Sequence, residues 1–327
     1  MTTQLTLNLM SSLLCLIVIS IHTTVNAEEF AVSCEDIPGN ANRLQCFDLQ
    51  AKVNSTTVTN TVLDERLIQE ASSLTNSFSF TAHRPTYILP LAYMDRTNTT
   101  PFATVDPLLN DASSMDNLEA KFQISFRVPI YKDWLIKNSQ IWFAYTQLSL
   151  WQVYNSKESS PFRETNHEPE IFWSFLMNQS LGEIKLTHLA VGINHQSNGR
   201  SDPLSRSWNR ITLDSIWTYQ HWLLDLRAWY RLPDTQGDDD NPDIEDYMGY
   251  FDLRIGHKKQ EHQLSTLFRG NSHDGKLRAY YEVGYSFSIN RKFRGYIQFV
   301  SGYGETLIDY NYRNQRISLG IMLNDWF

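Results

Sequence analysis

Stretches of about ten residues in which apolar and polar side chains alternate recur along most of this chain. Phe122, Ile124, Phe126, Val128 and Ile130 alternate with polar or small partners, as do Leu277, Ala279, Tyr281, Val283, Tyr285 and Phe287. A last run reads Ile317, Leu319, Ile321 and Leu323 and ends at Phe327. Alternation with period two sends successive side chains to opposite faces of a strand. Strands are predicted near 76–93, 119–131, 139–152, 169–178, 182–197, 207–219, 222–231, 247–257, 260–269, 276–288, 292–301 and 315–327. Long connections (94–118, 153–168, 198–206, 232–246, 270–275, 302–314) alternate with short ones (132–138, 179–181, 220–221, 258–259, 289–291). A soluble sandwich has no reason to alternate in this way. Past residue 27 no apolar run reaches the length of a membrane-crossing helix. The pattern predicts an all-β fold, a transmembrane antiparallel β-barrel of about twelve strands, with long loops outside and short turns in the periplasm.

Composition sharpens this picture. A net charge of −8 without a basic cluster argues against a nucleic-acid partner. Leu5 to Ile21 is apolar and uncharged, and Val25-Asn26-Ala27 offers small residues for cleavage, so residues 1–27 read as a secretory signal peptide. The missing Lys or Arg at its front leaves a retained helical anchor as the other reading. Residues 28–75 are assigned to an N-terminal periplasmic segment and 76–327 to the barrel. Cys34 and Cys46, in an oxidising compartment, form either a disulfide or two buried thiols in a short helix.

The chemistry concentrates in one segment. His195 and Ser197 stand two apart on a strand, on one face, and Asn-Gly and Asp-Pro turn signals follow. A hairpin centred near Asp202 pairs residues whose numbers sum to about 404, which brings Asn209 beside His195. The product is a Ser-His-Asn set: a hydroxyl nucleophile, a general base, and an amide that holds the base's tautomer. His-x-Ser alone also reads as two surface polar residues.

The full run Gly192 to Pro203, continued by Ser205-Arg206-Ser207-Trp208-Asn209-Arg210, resembles the outer-membrane phospholipase A family. Three further blocks are similar to it: Tyr145 to Asn166, Asn241 to Tyr250, and Ser301 to Tyr310. The resemblance covers about residues 75–327. It implies a serine ester hydrolase of the outer membrane, its site facing the extracellular side, that cleaves phospholipids at sn-1 and sn-2 and lysophospholipids too. In these terms Ser197 attacks, His195 carries the proton and Asn209 orients it. The Gly199 amide serves the oxyanion, and Ca²⁺ binds through the Arg200 carbonyl, the Ser205 hydroxyl and waters. The resemblance further implies a homodimer in which Ser159 reaches the partner's calcium site and Gln147 lies in the dimer contact. From the residues alone, Ser159 also reads as an ordinary loop serine and Gln147 as a lumen-facing polar residue. A terminal Phe327 resembles the sorting signal of outer-membrane barrels.

Other constellations carry less. Asp238-Asp239-Asp240 with Asp243, Glu245 and Asp246 lacks calcium-loop spacing and reads as a solvated loop. His167, His188, His221, His257, His262 and His273 show no metal spacing and read as surface or interior polar positions. Trp142, Trp151, Trp208, Trp222 and Trp326 fit an interfacial girdle. The competing class is a non-catalytic barrel, a passive channel or structural protein, although a barrel of this size has an interior that side chains largely fill.

Overall fold

The computed structural model describes residues 80–102, 115–235, 237, 239–290 and 293–324, with Arg43 and Leu63 as isolated positions. The signal peptide, Cys34, Cys46, most of the 28–75 segment, Asp238, Trp326 and Phe327 lie outside the described residues.

Among the described residues the strands are β1 (Thr81–Ala82), β2 (Thr86–Met94), β3 (Leu118–Lys132), β4 (Ser139–Trp151), β5 (Phe162–Leu181), β6 (Ile184–Ser197), β7 (Ser207–Tyr219), β8 (Trp222–Leu232), β9 (Phe251–Lys259), β10 (His262–His273), β11 (Lys276–Ser288), β12 (Arg294–Tyr303) and β13 (Arg313–Asn324), and a short helix α1 spans Ile244–Met248. From β2 onward each strand pairs antiparallel with the next, and β13 returns to β2 through pairs such as Leu319↔Leu91. Twelve strands thus close a barrel with no free edge, and β1 adds two pairs to β3.

Alternation decides which side of the wall each residue occupies. On β13 Ile317, Leu319 and Leu323 are exposed outward while Asn314, Arg316 and Ser318 are buried inward. Ile171, Ile193, Ile211, Leu226, Val283 and Phe299 continue the outer belt from strand to strand. An apolar belt of this extent has no counterpart on soluble monomers, and it is the surface a bilayer covers. A one-residue slip of any strand would drive its charged inner row into lipid, so the pattern fixes the register.

The interior is filled by charge pairs. Arg163, fully buried, holds Glu119 at 3.1 Å and Asp309 at 2.7 Å. Glu305 takes Lys121 at 2.9 Å and the Arg316 Nε at 2.9 Å. Glu305 and Asp309 belong to the 304–312 connection, whose Leu307 and Ile308 are also buried. This loop folds into the barrel mouth and is tied there to β3, β5 and β13. Breaking one partner of such a pair would strand a buried charge, which locks the loop in place. A lumenal cavity of about 180 Å³ persists, lined by Arg84, Glu168, Glu170, Arg227 and Arg269 among others. It is smaller than ordinary small-molecule pockets.

Several boundaries differ from the sequence pattern. β5 begins at Phe162 and not near 169, because Glu164, Asn166, Glu168 and Glu170, which look like loop residues, are the inward row of a strand against a charged lumen, and Arg163 is buried at a bulge between β4 and β5. The connection expected over 270–275 is only Asp274-Gly275, both at positive φ as a two-residue hairpin turn requires. Residues 247–250 leave the strand for α1 and a bend at Gly249, so β9 starts at Phe251. Trp142 and Trp208 are fully buried inside the wall and do not join a girdle; Arg127 covers the first at 4.6 Å and Arg210 the second at 4.1 Å. Trp151 and Trp222 do face outward.

Candidate active site

The β6–β7 hairpin keeps the register its sequence implies. Its pairs run His195↔Asn209, Gln196↔Trp208 and Ser197↔Ser207, and the His195 Nδ1 lies 2.8 Å from the Asn209 Oδ1. An amide oxygen only accepts, so Nδ1 carries the proton and donates it, and the lone pair remains on Nε2. His195, Ser197 and Asn209 are each half-buried and share the outward face with Val191, Ile193 and Ile211. The candidate catalytic groups are therefore on the lipid side of the wall, and the lumenal cavity is behind them.

The inner face of the same hairpin explains its rigidity. Arg210 donates to the Glu168 Oε1 at 3.0 Å and to the Asn194 Oδ1 at 2.5 Å, and Asn194 donates to the same Glu168 oxygen at 2.9 Å. Trp208 Nε1 donates to the Gln196 Oε1 at 2.8 Å. Each buried residue alternates with a member of the outward set, so the network that fixes the inner row also fixes His195 and Asn209.

Beyond Ser197 the chain turns through a loop organised by buried Asn198. Its Nδ2 donates to the Leu204 carbonyl at 2.8 Å, and its Oδ1 accepts from the amides of Arg206 at 3.0 Å and Arg200 at 3.3 Å. Gly199 has φ +64°, a left-handed conformation that disfavours any side chain. The Arg200 side chain is anchored on the carbonyls of Phe162 and Arg163, at 3.2 and 2.7 Å, which holds its backbone in this loop. Ser205 Oγ donates to the Asp240 Oδ2, and Ser207 N–H donates to the Asn241 Oδ1 at 3.0 Å.

The acidic residues 239–246 are thus not a freely solvated loop. Asp239 pairs with Arg231 at 2.7 Å, and the Asp243 Oδ1 accepts from the Tyr310 hydroxyl. Burial, and then this bond to Asp243, push the Tyr310 pKa up. Among the described residues no three His, Cys, Asp or Glu side chains are grouped to hold a metal. In the loop that follows Ser197, the Ser205 hydroxyl and the Asp240 carboxylate stand together.

Ser159 is exposed in the 152–161 connection with φ +58°. Gln147 faces outward, paired with Ile124 and His167, and donates to the Ser149 Oγ at 3.1 Å; the lumen-facing alternative does not hold. His188 is interior, and His273 lies 3.2 Å from Asp246. His167, set aside in the sequence, is the cross-strand partner of Ser197.

A closed twelve-strand antiparallel barrel with an apolar outer belt and a charged interior is an outer-membrane protein. The sequence profile of the family described as phospholipase A1 matches residues 63–323, and this chain belongs to that family. Phospholipase A1 of Salmonella typhimurium is 46% identical over 209 residues, 64% of this chain and 71% of that protein. A putative phospholipase A1 of Neisseria meningitidis is 37% identical over 74% of this chain and 65% of that one. Among solved structures, outer membrane phospholipase A of Escherichia coli superimposes with a TM-score of 0.71 at 39% identity, covering 77% of this chain and 94% of that one. The Salmonella typhi outer membrane phospholipase dimer with bound calcium gives 0.72 at 39% identity, with 79% and 97% covered. An active-site mutant of the Escherichia coli protein with an asparagine replaced by alanine gives 0.72 at 38%, again covering 79% and 97%. The protein is an outer-membrane phospholipase that hydrolyses carboxylic esters of phospholipids.

Proposed function

We propose that hydrolysis proceeds by a Ser197-His195-Asn209 triad, acts at both sn-1 and sn-2 esters and on lysophospholipids, and depends on Ca²⁺ in a homodimer. The observation that carries the reading is the 2.8 Å contact from His195 Nδ1 to Asn209 Oδ1 on the lipid side of the wall, two residues from Ser197. A phospholipid reaches such a site laterally. Ser197 Oγ attacks the ester carbonyl carbon while His195 Nε2 takes its proton; the amide of Gly199 donates to the carbonyl oxygen as it becomes an oxyanion. Collapse expels the lysophospholipid alkoxide, which takes the proton from His195. Water, deprotonated at the same Nε2, then releases the fatty acid from Ser197. The active site of the Escherichia coli relative includes an asparagine, which agrees with the part given to Asn209.

The oxygen donors at the loop fit a hard cation. The Arg200 carbonyl and the Ser205 hydroxyl would hold it, Asp240 stands ready beside Ser205, and Ser159 of the partner subunit would complete the set. When bound, Ca²⁺ supplies positive charge to the developing oxyanion. Calcium bound in the Salmonella typhi dimer supports this assignment.

Fatty-acid release from phospholipid micelles should stop on chelation and return with added calcium, while the slow gel mobility change on heating reports an intact barrel throughout. Undiminished release after chelation refutes the calcium role. Asn198→Ala should raise the calcium concentration for half-maximal activity by about 10-fold or more, as loss of an outer-shell support does, because Arg200 and Arg206 lose their shared anchor. An unchanged calcium titration would separate Asn198 from the site.

A further inference from the structure

His167 stands on β5 directly across from Ser197, on the outward face that the triad uses. One edge of its ring is held: Nδ1 lies 2.7 Å from the Tyr145 hydroxyl, and the two rings stack at 6.3 Å with 28° between planes. The opposite edge is turned to the triad loop. A methyl group placed on Gly199 would meet His167 Cδ2 at 3.6 Å and Nε2 at 3.8 Å. No rotation of the strand is needed to bring this imidazole to the site, since β5–β6 pairing already delivers it beside the nucleophile and beside the amide assigned to the oxyanion.

We infer that His167 is a second substrate-facing imidazole, donating from Nε2 to the ester oxygen that Gly199 also binds, with Tyr145 as its positioning residue. The Tyr145 hydroxyl has one proton and two acceptors in reach, the Gln147 Oε1 at 3.3 Å and the His167 Nδ1 at 2.7 Å; given to the nearer, it leaves the ring proton on Nε2. The donor then points into the space above Gly199. His195 keeps its lone pair on Nε2 through Asn209, so the two histidines have opposite tautomers and separate tasks: one accepts a proton, the other stabilises charge. The acceptor is the carbonyl oxygen of a lipid ester, a group that gains charge only in the transition state. The effect therefore belongs in kcat.

The inference rests on Ser197 being the nucleophile, and the test keeps the two apart. His167→Phe preserves the stacked ring and removes the donor; His167→Gln returns an N–H. His167→Phe should lose about 10–100-fold in kcat with KM altered less than about 3-fold, His167→Gln should recover most of the loss, and Tyr145→Phe should fall between. All three should fold, as judged by heat-modified gel mobility. Reaction of each folded protein with a long-chain alkanesulfonyl fluoride, followed by peptide mass analysis, reports whether Ser197 is the nucleophile. Failure to label Ser197 in the unmodified protein overturns the triad reading and this inference with it. Labelled Ser197 together with wild-type kcat in His167→Phe, a loss confined to KM, or equal loss in the Phe and Gln variants overturns the part given to His167 alone.

Discussion

Ser197→Ala will leave a folded barrel in the outer membrane with phospholipid hydrolysis reduced by about 10,000-fold or more, the scale expected when a hydroxyl nucleophile is removed. The substitution deletes one oxygen from a half-buried outward position and leaves the lumenal network of Arg210, Glu168 and Asn194 untouched. Heat-modified mobility and expression should match the parent. Asn209→Ala should be milder, about 10–100-fold, because His195 remains and loses only the partner that fixes its tautomer. Fatty-acid release by purified protein in detergent checks both. More than a few per cent activity in Ser197→Ala would remove it from the chemistry, and equal losses in both would mean that Asn209 does more than orient.

Much of this site is local in sequence and was legible there. A single hairpin carries His195, Ser197 and Asn209, and the pairing sum of 404 predicted from the turn signal is the one observed. What could not be read depends on partners far away in the chain. His167 faces Ser197 only because β5 starts early, and its start was hidden by charged residues whose place is understood once the lumen itself is charged. Asp240 reaches Ser205 across 35 residues, and the pairs of Arg163 with Asp309 and Lys121 with Glu305 span 146 and 184. No local period reports such contacts. Trp142 and Trp208 were misplaced for a related reason: a tryptophan at a membrane protein's wall suggests the interface, but stacking under Arg127 and Arg210 is also favourable inside a polar barrel.

Mixing two inactive variants should restore activity if the calcium site is shared between subunits. Ser159 is exposed in a loop apart from its own triad hairpin, so Ser159→Phe removes a hydroxyl and fills the space a partner's cation would occupy, without touching the barrel wall. That chain keeps Ser197. A Ser197→Ala chain is the converse, with a dead nucleophile and an intact Ser159. In a two-fold symmetric dimer each site joins Ser197 of one chain to Ser159 of the other, so a mixed dimer holds one complete site and one doubly defective site. Random exchange of equal amounts makes half the dimers mixed, and the mixture should reach about a quarter of parental activity, with each variant alone near zero. The recovery should require calcium and conditions that permit subunit exchange. Activity that stays at the sum of the separate variants, after labelled chains have been shown to exchange, would confine Ser159 to its own subunit and overturn the composite site.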